Sequence, residues 1–510
     1  MNTYQTSILP KLTRRNVLKG AAGLAASSLL AGRASLEAAT LSANAGNQPY
    51  PSGSIAQVPL TLTSNTVGAV SEGFAGLAYS KEKMLGTLFT GWDTTLIGIF
   101  KILGPSVLRI GGSTVDDSVW NPNGPGGQQA YVAPTDVNNL AAFLKATGWK
   151  CIYGINLGGY ATGATNPTLA GEEAAYVHKA LGSSLASFEI GNEPDFYGNA
   201  GNPWANDWSF GKFIGIWNEF RTAIVRAAPG AAMSGPSDAG DPTTWTVPFA
   251  ETITSAKINL ITQHYYVTGQ SDSNATVANL LDTSLHHDVL RELAALNAAS
   301  QEVGIPFRIS ECGTFFCNTP ATPTPDIAGS YTAALWSLDY MFMCAQGGAS
   351  GVNLESGGNV WGFPPLLNEA DYVCDVCPLF YGLLFFTLAG TGTGFETIIS
   401  PGSLNVTAYG LHKSVGGFSL VVLNKEFSQN IQLDIVLPRT VSQASLMEMT
   451  QRSPGASGPN IMATSGVTIQ GAEVGLNGDF YPAAPYRLTP SENRLTCYVP
   501  PLTAVLIQAT

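Results

Sequence analysis

Two glutamates stand where chemistry could be done. The first lies in Phe188-Glu-Ile-Gly-Asn192-Glu193-Pro194-Asp195, where an apolar run passes directly into Asn-Glu-Pro. The second lies in Phe307-Arg-Ile-Ser310-Glu311-Cys312-Gly313, where another apolar run ends in a carboxylate. Proline disfavours helical backbone at the residue before it, so Glu193 is expected to leave its strand in an extended conformation. A lone strand-end glutamate is more often a salt-bridge partner or a helix cap. Two that face each other across a cleft can cleave a glycosidic bond: one carboxylic acid protonates the leaving oxygen, and the other carboxylate attacks the anomeric carbon or activates water. Carboxyl groups about 5–5.5 Å apart give retention through a covalent intermediate, and a gap of about 6.5–9.5 Å gives inversion. The proton donor needs a raised pKa, which burial and the second carboxylate can supply.

Other polar segments surround this pair. Ile261-Thr-Gln-His264-Tyr265-Tyr266 offers a histidine for a sugar hydroxyl or for the acid, and a tyrosine to orient the nucleophile; the bland alternative is a packed aromatic pair with a satisfied histidine. In Leu108-Arg109-Ile-Gly-Gly112-Ser-Thr-Val-Asp116-Asp117 the glycines permit close backbone approach, and Asp116 is either a hydroxyl ligand or a turn residue capping its own backbone. Trp120, Phe315, Phe316 and Trp361 fall on loops after strands, where an aromatic face suits a sugar ring but a single ring is more often core or rim. His286-His287-Asp288 has no third ligand in view and reads as a solvated face. Cys374-x-x-Cys377 lacks a second CxxC or a nearby histidine, so a local disulfide or two buried thiols is expected there rather than zinc. No metal or cofactor is expected.

The elements that must position these groups alternate. Strands are expected near Phe74–Tyr79, Ser106–Gly111, Cys151–Asn156, Ser187–Ile190, Ala231–Gly235, Ile258–Gln263, Phe307–Ser310 and Gly351–Leu354. Helical patterns lie between most of them, as at Val137–Thr147, Gly171–Leu181, Phe210–Ala228, Ser284–Val303 and Tyr331–Ala345. Eight such units predict an α/β fold, a (β/α)8 barrel over 71–392, with Glu193 and Glu311 at the mouth ends of strands 4 and 7. A doubly wound open sheet alternates similarly, but no Gly-x-Gly-x-x-Gly follows the first strand, so dinucleotide binding lacks its phosphate loop. Residues 393–510 carry short strands between Gly, Pro, Asn and Ser turns and predict a β-sandwich. The alternating stretch within 46–70, after a linker, is expected to complete it.

The bulk composition narrows the partners. Of 510 residues, 45% are hydrophobic and 12% charged, enough for a large core. The net charge of −12 argues against nucleic acid, which needs basic stripes to neutralise phosphates. Thr13-Arg14-Arg15-Asn16-Val17-Leu18-Lys19, followed by an apolar run from Gly20 to Gly32, reads as a twin-arginine signal, with Ala43-Asn44-Ala45 as a candidate cleavage site. Residues 1–45 are therefore expected to direct export to the periplasm or the exterior. No run of eighteen apolar residues follows, so no membrane span is expected. The seven cysteines would then meet an oxidising compartment, with at least one left unpaired.

Gly191-Asn192-Glu193-Pro194-Asp195 and Ser310-Glu311 together resemble the motifs of clan A retaining glycosidases. With Arg109-Ile-Gly-Gly-Ser-Thr-Val-Asp116 and Gln263-His264-Tyr265-Tyr266 the chain resembles glycoside hydrolase family 79, which holds β-glucuronidases and heparanases, and the order of barrel and β-domain matches as well. The resemblance implies that Glu193 is the acid/base and Glu311 the nucleophile. It also implies that Asn192 holds the 2-hydroxyl, that Asp116 binds a ring hydroxyl, and that His264 and Tyr266 line the subsite with Tyr266 near the nucleophile. Trp361 is a further candidate for the sugar. The family grips the glucuronate carboxylate with a tyrosine after strand 8 and backbone amides after strand 7. Here Glu355-Ser-Gly-Gly-Asn-Val-Trp361-Gly-Phe363 holds no tyrosine, the next being Tyr372, and the strand-7 loop is poor in glycine. The expected activity is a retaining β-glucuronidase acting on a carbohydrate; a β-glycosidase for a neutral sugar and a non-catalytic carbohydrate-binding barrel are the alternatives.

Overall fold

A computed structural model describes residues 46–510, apart from 206, 254–256, 270–271, 283–285, 317–326, 357–363, 370–371 and 453–457. The twin-arginine segment, its cleavage site, Cys317 and Trp361 lie outside the described residues.

Eight parallel strands close into a barrel. In chain order they are Ala75–Ser80, Val107–Gly111, Lys150–Ile155, Leu185–Ile190, Met233–Asp238, Leu260–Gly269, Phe307–Phe316 and Val352–Glu355, numbered 1 to 8 below. Their short apolar runs are buried on both faces, against the barrel interior and the surrounding helices, which is why they lack a polar alternation. The helices follow their caps. Pro134–Thr147 and Pro167–Leu181 begin several residues before their apolar periodicity does, because a proline fits the first turn, and Asn166 accepts hydrogen bonds from the amides of Thr168 and Leu169. The helix Pro378–Leu388 shows no amphipathic period, since almost every side chain in it is buried. No helix among the described residues is long and apolar enough to cross a membrane.

Strands 6 and 7 each run ten residues and stay paired up to Gly269 and Phe316. Glu311 therefore does not end its strand. It sits at a bulge: Ile309 pairs with Gln263 and Glu311 with His264, leaving Ser310 as the extra residue. A second irregularity leaves Ser237 unpaired between Pro236 and Asp238 of strand 5, and Ser237 takes a φ of 66°. An extra residue bends its strand and re-aims the next side chain, which is how bulges serve sites.

Val119–Trp120 with Tyr131–Val132 and Leu366–Glu369 with Tyr372–Val376 form two small two-stranded sheets, and the ten other strands form one sheet that curls into a sandwich around its own core. Its centre includes Ile55–Val70, antiparallel to Gly392–Ile399 and parallel to Asn430–Val436. Val58, Leu60 and Leu62 point into that core and are almost wholly buried, each contributing about 1.5–3 kcal/mol. A buried ion pair ties the two layers: Asp339, on the barrel helix Tyr331–Gln346, accepts from Lys425 at 2.6 Å and from Thr407 at 2.8 Å.

One sequence expectation changes here, and one pair of alternatives is narrowed to the thiols. His286 does not belong to a solvated face: it is buried at the start of the helix His287–Val303, and burial pushes its pKa down. Only His287 and Asp288 face solvent, with Asp288 bonded to Arg291. Cys374 and Cys377 are half-buried thiols on and beside a small hairpin, with Cys374 donating to the Leu367 carbonyl.

Candidate active site

Arg109 is the hub of the barrel mouth. Its side chain is fully buried on strand 2 and donates four hydrogen bonds: Nε to Glu189 at 2.7 Å, Nη1 to Glu311 at 2.5 Å, and Nη2 to Asn192 at 2.9 Å and Ser237 at 2.8 Å. Burial opposes its charge, but Glu189 and Glu311 outweigh that penalty and keep it ionised. The same pairing holds Glu189 below the usual carboxylate range against its own burial. Gly111 is part of this device. A Cβ there would stand 2.3 Å from the guanidinium carbon, so the glycine makes room for Arg109 as it folds back across the strand.

Glu311 is held from both sides. Oε2 faces Arg109 and Oε1 accepts the Tyr266 hydroxyl at 2.8 Å. Burial first, and then Glu311 itself, pushes the Tyr266 hydroxyl well above its ordinary pKa, so it remains a donor. The exposed ring of Phe316 meets Tyr266 edge-on, with centroids 5.9 Å apart.

Glu193 departs from the expected extended conformation. Its φ and ψ are 49° and 55°, in the left-handed region, following Gly191 at φ 83°. The chain has to turn straight into the short 3-10 helix Pro194–Phe196, and the Glu193 amide is tied to the Ser237 carbonyl at 2.9 Å. Left-handed backbone at a non-glycine costs about 1–3 kcal/mol and persists only where its surroundings enforce it. His264 Nδ1 lies 3.0 Å from Glu193 Oε1, and its Nε2 lies 2.9 Å from Ser237 Oγ. Burial, reinforced by Arg109, pushes His264 down to about 4, so it is neutral at physiological pH. Neutral His264 carries one ring proton, so in one tautomer Nδ1–H donates to Glu193 Oε1 while the bare Nε2 accepts from Ser237, which leaves Glu193 Oε2 to carry the acid proton. Burial and then the charge of Asp195, partly offset by Arg109, push Glu193 up to about 7.

Ligand-competent atoms of Glu193, His264 and Glu311 all lie within 4.8 Å of one another. They are near enough to share a cation, but Arg109 and Tyr266 already occupy both oxygens of Glu311 and the guanidinium repels a metal. A nearest-oxygen distance within 4.8 Å is compatible with the retaining geometry.

Asp116 is half-buried and braces the loops around it. Oδ1 accepts from the amides of Leu157 and Gly158, and Oδ2 from the Tyr197 hydroxyl. It thus caps the loop after strand 3, not its own turn, and burial pushes it up to about 6. Tyr197 in turn accepts the Asn192 amide, so Asp116 braces the segment carrying Asn192. Arg109 fixes the Asn192 carboxamide by its Oδ1, turning the NH2 group away from the guanidinium. Trp120 is buried against Tyr176 and Phe315 is core, so neither ring faces a substrate.

The sequence reading missed the roles of Arg109, Glu189 and Ser237. A signal existed for two of them: Arg109 and Glu189 are opposite charges inside apolar strands, and a buried charge requires a partner. Replacing Arg109 with lysine keeps the charge but cannot reproduce four directed bonds, and leaves Glu189 or Glu311 under-bonded. Chemical denaturation should show a loss of about 3–5 kcal/mol; a loss under about 1 kcal/mol would mean the hub is dispensable to the fold.

No protein-family model matches the chain. A β-glucuronidase of Aspergillus niger is 28% identical over 284 residues, covering 49% of this chain and 51% of that protein, so the match spans about half of either. Among solved structures, a 4-O-α-L-rhamnosyl-β-D-glucuronidase from Fusarium oxysporum 12S superposes with a TM-score of 0.72 at 17% identity, over 88% of this chain and 100% of that one. A GH51 arabinofuranosidase from Xanthomonas axonopodis pv. citri gives 0.62 at 13% identity, over 89% and 100%. The chain therefore shares with these glycosidases its fold, a (β/α)8 barrel carrying a β-sandwich.

Proposed function

We propose that the chain is a retaining β-glycosidase of the family 79 type that hydrolyses β-glucuronides by double displacement. The observation that carries this is the pair at the barrel mouth: Glu193 and Glu311 have oxygens within 4.8 Å, Glu193 is pushed up to about 7, and both Glu311 oxygens face donors. In the first step the Glu311 carboxylate attacks the anomeric carbon while the Glu193 proton passes to the departing oxygen. In the second, Glu193 takes a proton from water, and the resulting hydroxide equivalent releases the sugar from Glu311. Asn192 is suited to donate to the 2-hydroxyl and Phe316 to offer a ring face at the rim. The Aspergillus niger relative supports glucuronate as the sugar. The twin-arginine run supports an exported enzyme.

A second reading, a neutral sugar, is favoured by one feature. Arg109 is committed to Glu189 and Glu311, and Tyr372, the first tyrosine after strand 8, is 55% exposed on a hairpin. A glucuronate carboxylate would therefore rely on neutral donors. Hydrolysis of 4-nitrophenyl β-glucuronide and β-glucoside by the purified protein separates the readings. The glucuronide should be cleaved with at least about tenfold higher kcat/KM, a difference of about 1.4 kcal/mol in transition-state binding. Preference for the glucoside would overturn glucuronate, and cleavage of neither would favour a non-catalytic barrel or a polymer-cutting enzyme.

A further inference from the structure

Asp195 stands two residues beyond Glu193, on the same tight turn. Its oxygens accept the amides of Ala239 and Gly240, at 3.3 and 3.0 Å, so it clamps the turn after strand 4 to the end of strand 5. The close fit is visible at Gly240, where a Cβ would lie 3.2 Å from Oδ2 of Asp195. Asp238, immediately before these amides, is fully buried and points at the same place. Its Oδ2 accepts from Thr246 at 3.3 Å, its Oδ1 is closed off from solvent with no unambiguous donor aimed at it, and the carboxyl lies within hydrogen-bond reach of Asp195. An ionised carboxylate with a bare, buried oxygen beside another carboxylate is strongly disfavoured, so Asp238 stays neutral. Burial and the charge of Asp195 push it up to about 9.

We propose that Asp195 is a positioning residue that keeps the acid proton on Glu193, and that the neutral carboxyl of Asp238 holds Asp195 in place without adding a second charge. Every charged or titratable neighbour enters the balance. Arg109 on strand 2 draws the proton off Glu193, and Asp195 opposes it from Glu193's own loop. His264 and Tyr266 on strand 6 are neutral, as is Tyr197 on the loop. Glu311 on strand 7 faces Glu193 and, like Glu189, is bonded to Arg109, whose single positive charge the two carboxylates share. Glu355 at the end of strand 8 lies in the field of Arg109 and Tyr266. Asp195 is thus the acidic neighbour of Glu193 whose oxygens are bonded to neutral backbone amides and not to a cation.

The proposal rests on the glycosidase reading but is tested by a measurement that does not require turnover. Glutamate labelled with 13C at Cδ reports the titration of Glu193 directly, with Glu193→Gln assigning its resonance. In the unsubstituted protein the midpoint should lie near pH 7, matched by the alkaline limb of the pH–rate profile. Removing a neighbouring negative charge lowers a carboxyl pKa, so Asp195→Asn and Asp195→Ala should both move the midpoint down by roughly one unit. Asp238→Asn, which mimics a protonated carboxyl, should leave it in place. The midpoint does not depend on how much of a variant folds. An unmoved midpoint in both Asp195 variants, or an equal shift in Asp238→Asn, would overturn the proposal. The expected shift in a protein that cleaves no glycoside would uphold this role for Asp195 and count against the glycosidase reading alone.

Discussion

Glu311→Ala will reduce turnover of any accepted glycoside by about 10⁴-fold or more, a loss of about 5.5 kcal/mol of transition-state stabilisation. In double displacement Glu311 is the atom donor to the covalent intermediate, and no neighbour can replace it. Glu193 is the nearest carboxylate, but it is turned to His264 and holds the acid proton. Glu189 is fully buried and held to Arg109 through Oε2. Binding should survive the change, so an inhibitor that resembles the substrate should bind the variant with its affinity changed by less than about tenfold. The variant also loses an acceptor for Arg109 and Tyr266, so its melting temperature must be measured alongside. Glu311→Gln separates the two effects, because it keeps the volume and one acceptor but not the nucleophile. If Glu311→Gln retains more than about a tenth of the rate, the covalent mechanism is wrong, whatever its stability.

The barrel was legible because its signal is repetitive. Eight short apolar runs separated by helical periodicity leave few alternatives, and each strand fell within a few residues of its expected place except where a ladder ran on. Strand 7 shows why the ends were hard to read. Nothing in Ser310-Glu311-Cys312 marks a bulge, because a bulge is a property of the pairing with His264 and not of one strand alone. The left-handed turn at Glu193 was hidden for a similar reason: local sterics at a residue before proline favour extension, and the Ser237 carbonyl overrides them from another strand. The two glutamates were visible in the sequence as types at strand ends. The groups that tune them were less so. In the sequence the glycines beside Arg109 read as room for a ligand, whereas Gly111 makes room for Arg109 itself and Gly112, at φ 71°, packs closely against Ser80. The resemblance implies a sugar hydroxyl for Asp116, and its bonds to two amides and Tyr197 add a bracing role that its own sequence neighbours do not reveal. Composition and spacing identify which chemistry is available; who bonds to whom at a barrel mouth depends on residues contributed by strands 2, 4, 5, 6 and 7 together.

Glu193→Ala separates the two chemical steps in a way Glu311 variants cannot. Without the acid, a glycoside with a poor leaving group has to expel an unprotonated alkoxide, and its cleavage should fall by about 10²–10⁴-fold, the usual contribution of a general acid. A 4-nitrophenyl or dinitrophenyl glycoside leaves without help, so Glu311 should still be glycosylated and a burst of phenolate should appear. The second step then stalls, because the water has no base. The geometry indicates what rescues it: removing the Glu193 side chain opens a space bounded by His264 and Ser237 on the face opposite the Glu311 ester, and Arg109 lies close by. A small anion such as azide can enter there and needs no general base to attack. Added azide should therefore restore steady turnover and yield the β-glycosyl azide, with the configuration of the substrate retained after two inversions. An α-glycosyl azide would indicate that azide had displaced the aglycone directly and would transfer the mechanism to the inverting class. A steady rate unaffected by azide, with no burst, would remove Glu193 from the acid/base role altogether. The pH profile supplies an independent sign check. With Glu193 present, activity should fall as pH rises through about 7, since the acid is lost above its folded-state pKa; in Glu193→Ala that alkaline limb should disappear for activated substrates, because no group remains to be deprotonated.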